Sequence, residues 1–317
     1  MRIAYLGPEG TFTHEAVRRW APGPHVDHRP LATVREVHDA VASGVADRGV
    51  VAIESSVEGY VVPSLDALVG SPDVVAVDEV VLDISFDAFV RPGHAHGAGA
   101  AGLREATAHP HGLAQCSRFV AERGLLPVPA SSNAAACRDL ADHQVAFGPR
   151  LCGELYGLET LATGVEDFAG ARTRFVVLCR RDDARAAWEA PRAASVPGTW
   201  RTMLAVTPVV TGPGVLARVT AEFAERGVNM SSLVERPLKV REGQYVFVVT
   251  LDGAPWEPQV RDLFTALLGA GDSLKVLGAF PVPPGGPGLD GVLPDHVPTG
   301  SVLGRDDAAA LDRGLLW

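Results

Sequence analysis

Five short stretches of this chain carry polar groups of the kind that meets a small anion. They are Gly7-Pro8-Glu9-Gly10-Thr11-Phe12-Thr13, Glu54-Ser55-Ser56-Val57-Glu58-Gly59, His109-Pro110-His111 with Gln115 one helical turn on, Ser131-Ser132-Asn133, and Thr173-Arg174-Phe175. Most of them follow an apolar run, and open α/β sheets bind their ligands at the carboxyl ends of strands. A glycine-rich turn ending in a hydroxyl at a helix start offers backbone N–H groups to an anion. The same residues also serve as plain helix caps. The last stretch sets one hydroxyl, Thr173, between Arg172 and Arg174. An amphipathic strand whose arginines reach back to water accounts for those residues without any chemistry.

Other chemistries find little footing. His94-x-His96 and His109-x-His111 have no helical spacing and no fixed carboxylate nearby, so loop histidines are a better reading than a metal site. No GxGxxG follows a strand, and neither a GxxxxGK[ST] loop nor a nucleophile elbow is present. No metal and no cofactor is expected. The 317 residues carry a formal net charge of -10 without a basic run, which argues against nucleic acid and anionic membranes as partners. A small anionic substrate needs only one or two local cations and stays open. The four cysteines, Cys116, Cys137, Cys152 and Cys179, are scattered as thiols of a reducing compartment would be. The start "MRIAYLGPEG" reads as a strand and turn, and the apolar region 74–90 is broken by Asp78, Glu79, Asp83 and Asp87. A cytoplasmic protein is expected.

The elements that must hold the five stretches follow a βα rhythm to about residue 180, which predicts a layered α/β fold. "RIAYL" and "GVVAI" read as buried strands, and Thr33-x-x-Glu36 is a capping box opening a helix that buries Val37 and Val41. From Leu82 to Val90 apolar and polar residues alternate, as in a long half-exposed strand joining two lobes. A second βα series follows the Gly/Ala-rich loop 93–102. The spacing therefore predicts an α/β region of two lobes over 1–182 and a charged, Ala/Pro-rich linker over 183–200. A βαββαβ unit of ferredoxin-like type follows over 201–282, and a Pro/Gly-rich tail over 283–317.

Together, "AYLGPEGTFTHEA", "VAIESSVEGYVVPSLDAL", "AHPHGLAQC", "SSNAAA", "ELYGLETL" and "TRFVVL" have the order and spacing of prephenate dehydratases. The segment "GPGVLARVTAEFAERGVNMSSLVERPLK" with "YVFVVTLDG" resembles the ACT regulatory domain that follows them, in an actinobacterial-type but diverged form. The resemblance implies a bilobed catalytic domain like a periplasmic binding protein and a homodimer or homotetramer. The activity it implies is the decarboxylating dehydration of prephenate to phenylpyruvate in phenylalanine biosynthesis. It further implies allosteric control by phenylalanine or a related amino acid. It places a hydrogen-bond donor for the leaving hydroxyl on Thr173 and a carboxylate clamp on Arg174, with Glu54 and Ser55 beside them in catalysis. Thr11, Ser56, Gln115, Ser131, Ser132, Asn133 and Phe175 are implied as substrate-binding residues. The amino-acid site is implied at Gly214, Val215, Leu216 and Ala217 and at Asn229, Glu235, Arg236 and Pro237. In a regular strand Thr173 and Arg174 face opposite ways, so a shared ligand requires an irregular start, which Gly170 permits.

The chain departs from the family most clearly in two places, besides a milder change of the Gly-Ala-Leu-Val type turn to Gly214-Val215-Leu216-Ala217. Ser55 stands where Pro-x-Glu-Asn-Ser has asparagine, removing an amide donor; Glu235 stands where a small hydroxyl is usual. Two other readings accommodate this divergence: a decarboxylase of a specialised pathway that keeps the ring hydroxyl, and an inactive amino-acid sensor. Retention of Thr173-Arg174-Phe175 favours dehydration, because a non-aromatising enzyme has no use for a leaving-group donor.

Overall fold

A computed structural model describes residues 1–194, 199–238 and 244–282. The first lobe runs β1 (Arg2–Leu6), α1 (Phe12–Trp20), β2 (Asp27–Leu31), α2 (Val34–Ala42), β3 (Arg48–Ser55), β4 (Gly59–Tyr60), α3 (Val62–Gly70) and β5 (Val74–Asp83). The second runs β6 (Asp87–Val90), α4 (Gly97–Ala101), β7 (Glu105–Ala108), α5 (Pro110–Gln115), α6 (Ser117–Glu122), β8 (Leu126–Pro129), α7 (Asn133–Arg138), β9 (Gln144–Gly148), α8 (Leu151–Tyr156) and β10 (Glu159–Ala162). The chain returns to the first lobe in β11 (Arg172–Arg180) and α9 (Ala184–Ala194). It ends in β12 (Trp200–Thr207), α10 (Val215–Glu225), β13 (Met230–Pro237), β14 (Tyr245–Asp252), α11 (Pro258–Gly269) and β15 (Ser273–Pro281).

Two sheets organise these elements. One has the order β13-β14-β12-β15-β5-β11-β3-β1-β2, with β4 paired to β3; the other has the order β10-β6-β9-β7-β8. In β1, Ile3, Ala4 and Tyr5 are all fully buried, as expected of a strand covered on both faces. One face packs with α1 and the second lobe, while α2 and α3 cover the other. The chain passes between the lobes twice, at 84–86 and 163–171. This is the expected bilobed, periplasmic-binding-protein-like arrangement. The alternation across 82–90 is real, with Leu82, Ile84, Phe86, Ala88 and Val90 all in one core. It belongs to two strands in two sheets, broken at 84–86, because one strand cannot pair into both.

The βαββαβ unit has the ferredoxin-like order β13-β14-β12-β15, all antiparallel, with α10 and α11 on one face. Its other face shares a core with α2 and α3 through Met203, Ala205, Val246, Val248 and Phe280. Within their common sheet the first lobe and this unit join where Gly278 of β15 pairs in parallel with Ala76 of β5. A Cβ at Gly278 would stand 2.6 Å from that of Ala76, so only glycine allows the approach. The segment expected as a linker contains α9, which sets Ala184, Ala187 and Trp188 against Val75, Val77 and Cys179. The Trp188 indole N–H donates to the carbonyl of Ala279 at 2.7 Å. Residues 195–198, the 239–243 turn of the expected hairpin and the tail from 283 lie outside the described residues. No helix among the described residues is long and apolar enough to cross a membrane.

Candidate active site

β1 and β3 run parallel, and β11 runs antiparallel to both β3 and β5. The C-terminal ends of β1, β3 and β5 therefore gather with the start of β11 at one edge of the sheet, where the second lobe is attached. α5, α7 and α8 start at the C-terminal ends of β7, β8 and β9. α8 reaches the first lobe directly: the Tyr156 hydroxyl donates to the carbonyl of Glu9 at 2.6 Å, and the Cys152 thiol to that of Gly10 at 3.2 Å. Gly10 has φ +81, and a Cβ there would crowd Cys152 and Tyr156. The strand ends of both lobes thus border one cleft.

The β1–α1 loop is held by α1. Thr11 is the N-cap of α1, its hydroxyl accepting from the N–H of His14 at 3.2 Å. His14 Nδ1 accepts from the N–H of Gly10 at 3.1 Å, so its proton sits on Nε2, which faces His28 Nδ1 at 3.1 Å. Burial, and then His28, lower the pKa of His14 to about 4; burial lowers that of His38 on α2 likewise, to about 4. Neither ring nitrogen of His38 has a partner among the described residues. Both histidines stay neutral in the fold but take up a proton near pH 6.5 when unfolded. Their contribution is complete above pH 6.5 and is lost as pH falls toward 4. Urea titrations should show roughly 2 kcal/mol lost per histidine by pH 5. His38→Leu should flatten that slope and raise stability at pH 7, since it removes a buried unpaired polar group. An unchanged slope would place the acid sensitivity elsewhere.

The central feature is a bulge between β3 and β11. Arg174 lies opposite Glu54 but Phe175 opposite Ala52, so Ile53 is the extra residue. Beyond it, Thr173 lies directly opposite Ser55. Phe175 and Val177 join the core on the cleft side, whereas Val176 and Leu178 join the core under α2 and α3. Thr173 shares the first face and Arg174 the second. Gly170 does have a positive φ of 88°, yet the strand beyond it keeps its alternation.

Arg174 is consequently committed within the protein. Its Nε and Nη2 donate to Glu79 at 3.1 and 2.8 Å, and its Nη1 to Glu54 at 2.5 Å. Burial weakens the charged form, but Glu79 and Glu54 more than restore it and hold the guanidinium above its ordinary range. Thr173, by contrast, makes no side-chain hydrogen bond among the described residues. The Ser55 hydroxyl accepts from the N–H groups of Val57 and Glu58 at 3.2 and 3.3 Å, forming the turn itself. Ser56 ties that turn to β11, its hydroxyl accepting from the N–H of Arg172 at 2.9 Å.

On the second lobe, the Gln115 amide donates to Glu58 across the cleft at 3.4 Å. Ser132 caps α7, its hydroxyl accepting from Ala135 N–H, and Asn133 braces the loop before α5 by accepting from His109 N–H at 2.9 Å. Ser131 is exposed. Phe175, 1% exposed, is a core residue. The arrangement thus brings Ser55, Ser56 and Thr173 together and meets Gln115 through Glu58. It turns Arg174 and Glu54 away to the opposite face. No group of three or more His, Cys, Asp or Glu that could hold a metal occurs among the described residues.

In the βαββαβ unit, Gly214 (φ +84) opens α10, with Val215, Leu216 and Ala217 in its first turn. Val215 packs on the same core as Met230 and Leu233 of β13. The Asn229 amide donates to Asp252 at 2.8 Å, and Arg236 forks onto Asp66 of α3 at 2.8 and 3.0 Å. Glu235 and Pro237 are exposed on β13.

In the sequence Glu79 shows only as an interruption of an apolar run. A carboxylate inside "VVAVDEVVLD" demands a buried cation, and Arg174 answers it.

The architecture has close parallels. The family model for prephenate dehydratase matches residues 3–183. A prephenate dehydratase of Corynebacterium glutamicum is 33% identical over 288 residues, covering 88% of this chain and 87% of that protein. One from a Mycobacterium sp. is 36% identical over 296 residues, covering 88% and 89%. Among solved structures, the prephenate dehydratase of Arthrobacter aurescens in complex with L-Phe superposes with a TM-score of 0.76 at 29% identity, covering 89% of this chain and 90% of that one. A protein described as a novel type of quorum quenching acylase, GqqA, also reaches 0.76 at 27% identity, covering 90% and 99%. A shared fold with that acylase leaves the reaction to be argued from the site. The cleft-facing hydroxyl of Thr173, the bulged strand opposite it and the match along most of the chain belong together: this protein is a member of the prephenate dehydratase family.

Proposed function

We propose that the chain converts prephenate to phenylpyruvate, releasing water and carbon dioxide. The observation that carries this reading is Thr173: its hydroxyl has no side-chain partner among the described residues and lies opposite Ser55 at the gathered strand ends. Aromatisation drives the loss of both groups, so the protein needs only to orient the dianion and donate to the leaving oxygen. Thr173 is a poor acid and acts as a positioned donor. Ser55 accepts from the amides of its own turn, which fixes its oxygen and leaves its single O–H to donate, at a shorter reach than the amide of the family's asparagine. The commitment of Arg174 to Glu54 and Glu79 supports reading it as the holder of Glu54, and through it of the turn that carries Ser55, in place of a carboxylate clamp.

The βαββαβ unit is read as an ACT domain that binds phenylalanine or a related amino acid between the start of α10 and β13. Glu235 offers its carboxylate there, which favours the ligand's ammonium over its carboxylate. Arg236 is occupied by Asp66 and serves instead to hold the unit on α3. All four cysteines are buried thiols, in keeping with a cytoplasmic protein, and the family resemblance supports a homodimer or homotetramer.

One experiment tests the reading. Purified protein is incubated with prephenate, and the product is followed by ultraviolet spectrum and mass. Phenylpyruvate is expected. A dihydro product that retains the hydroxyl would identify the specialised decarboxylase, and no turnover would identify the sensor.

A further inference from the structure

Glu79 sits in the middle of β5 with its side chain only 2% exposed, and it is shared between two arginines. One is Arg174 of β11; the other is Arg201 of β12, whose Nη1 lies 3.8 Å from Oε1 of Glu79. Arg201 Nε in turn lies 3.8 Å from Asp252, which accepts from Asn229. A continuous line of charges therefore runs from the turn at Glu54, through Arg174, Glu79 and Arg201, into the βαββαβ unit. Its joints differ: Arg174 is gripped at hydrogen-bond distance on both sides, whereas Arg201 is held at 3.8 Å on both, and its Nε has no hydrogen-bond partner among the described residues.

The same segment is gripped a second time from the same unit. The Tyr60 hydroxyl meets that of Ser232 at 2.6 Å, and Arg236 forks onto Asp66. Lys275 donates to the carbonyls of Leu68, Val69 and Ser71 at the end of α3. The stretch from Tyr60 to Ser71, which follows the Ser55 turn, is thus clasped by residues of β13 and β15.

We propose that Glu79 is a positioning residue for the reaction: it anchors Arg174 and so keeps Glu54, and with it the Ser55–Glu58 turn, in register with Thr173, while Arg201 ties that anchor to the βαββαβ unit. The role rests on the dehydratase reading for its catalytic consequence, but not for its structural one. Glu79 touches no substrate; it acts through Arg174. Losing the anchor frees the bulge at Ile53, and a misplacement of about 1 Å near a reacting group costs up to about a hundredfold in rate.

The test is a double-mutant cycle on full-length protein with Glu79→Gln, Arg174→Gln and the pair. Glu79→Gln should lower kcat between about tenfold and a hundredfold with little change in KM, and Glu79→Asp should recover part of the loss. Because both residues act on one turn, the double variant should lose no more than the worse single variant. Losses that multiply, or a Glu79→Gln enzyme with unaltered kcat, would overturn the proposal. Hydrogen exchange separates its fate from that of the functional reading. In Glu79→Gln the amides of Ser56, Val57 and Glu58 should exchange faster, while that of Ala135 in the second lobe should not. That result supports the positioning role even if wild-type protein leaves prephenate untouched. Unchanged exchange at the turn sinks it even if the wild type is an active dehydratase.

Discussion

Thr173→Ala should reduce kcat for prephenate by about 10²–10⁴, the range that a positioned proton donor contributes. The loss should fall on kcat with KM nearly unchanged, since the contact strengthens only as the carbon–oxygen bond breaks. Folding should survive, because Thr173 is only part-buried and its hydroxyl braces nothing in the protein. Thr173→Ser keeps the hydroxyl on a looser rotor and should retain far more activity than the alanine variant. Steady-state kinetics on the three proteins, with melting curves as the control for folding, decide the matter. An alanine variant that keeps more than about a tenth of wild-type kcat removes Thr173 from the chemistry, since even the weakest such donors exceed that factor.

Arg174→Met should have the largest effect on stability, about 3–5 kcal/mol in urea denaturation. The cost comes from Glu79, which would remain nearly fully buried with, among the described residues, only Arg201 at 3.8 Å to offset its charge. Arg174→Lys should be intermediate, because a single ammonium cannot serve Glu54 and Glu79 with the separate nitrogens that the guanidinium uses. The carboxylate-clamp role that the family resemblance implies predicts a different signature, a raised KM with stability intact. A loss below about 1 kcal/mol, the scale of an exposed pair, together with a tenfold higher KM would restore Arg174 to the substrate.

Much of this molecule was readable from the chain alone, because the features concerned are local. The glycine and hydroxyl residues after each apolar run announce strand ends and helix caps within a few positions. Thr11, Thr33 and Ser132 all cap helices as their spacing suggests. The order of βα units, and then of βαββαβ, follows from periodicity that each segment carries within itself. The ferredoxin-like order of β12 to β15 adds nothing that the pattern did not already contain.

The direction of Arg174 was another matter. Strand alternation predicts that it opposes Thr173, but whether Gly170 relaxes that alternation depends on the strand next door. The bulge at Ile53 is a property of the pairing between β3 and β11, more than a hundred residues apart in the chain, and it exchanges the faces that Glu54 and Ser55 would take in a regular strand. Glu79 was visible only as a charge in an apolar run; its meaning depends on two arginines that register alone brings to it. The contact of Gln115 with Glu58 and that of Tyr156 with Glu9 depend on how two lobes close over a doubly crossed hinge. Local pattern decides which residues end a strand. Which of those residues share a face, and which are consumed by each other before any ligand arrives, is set by long-range register and burial, and these exist only in the folded chain.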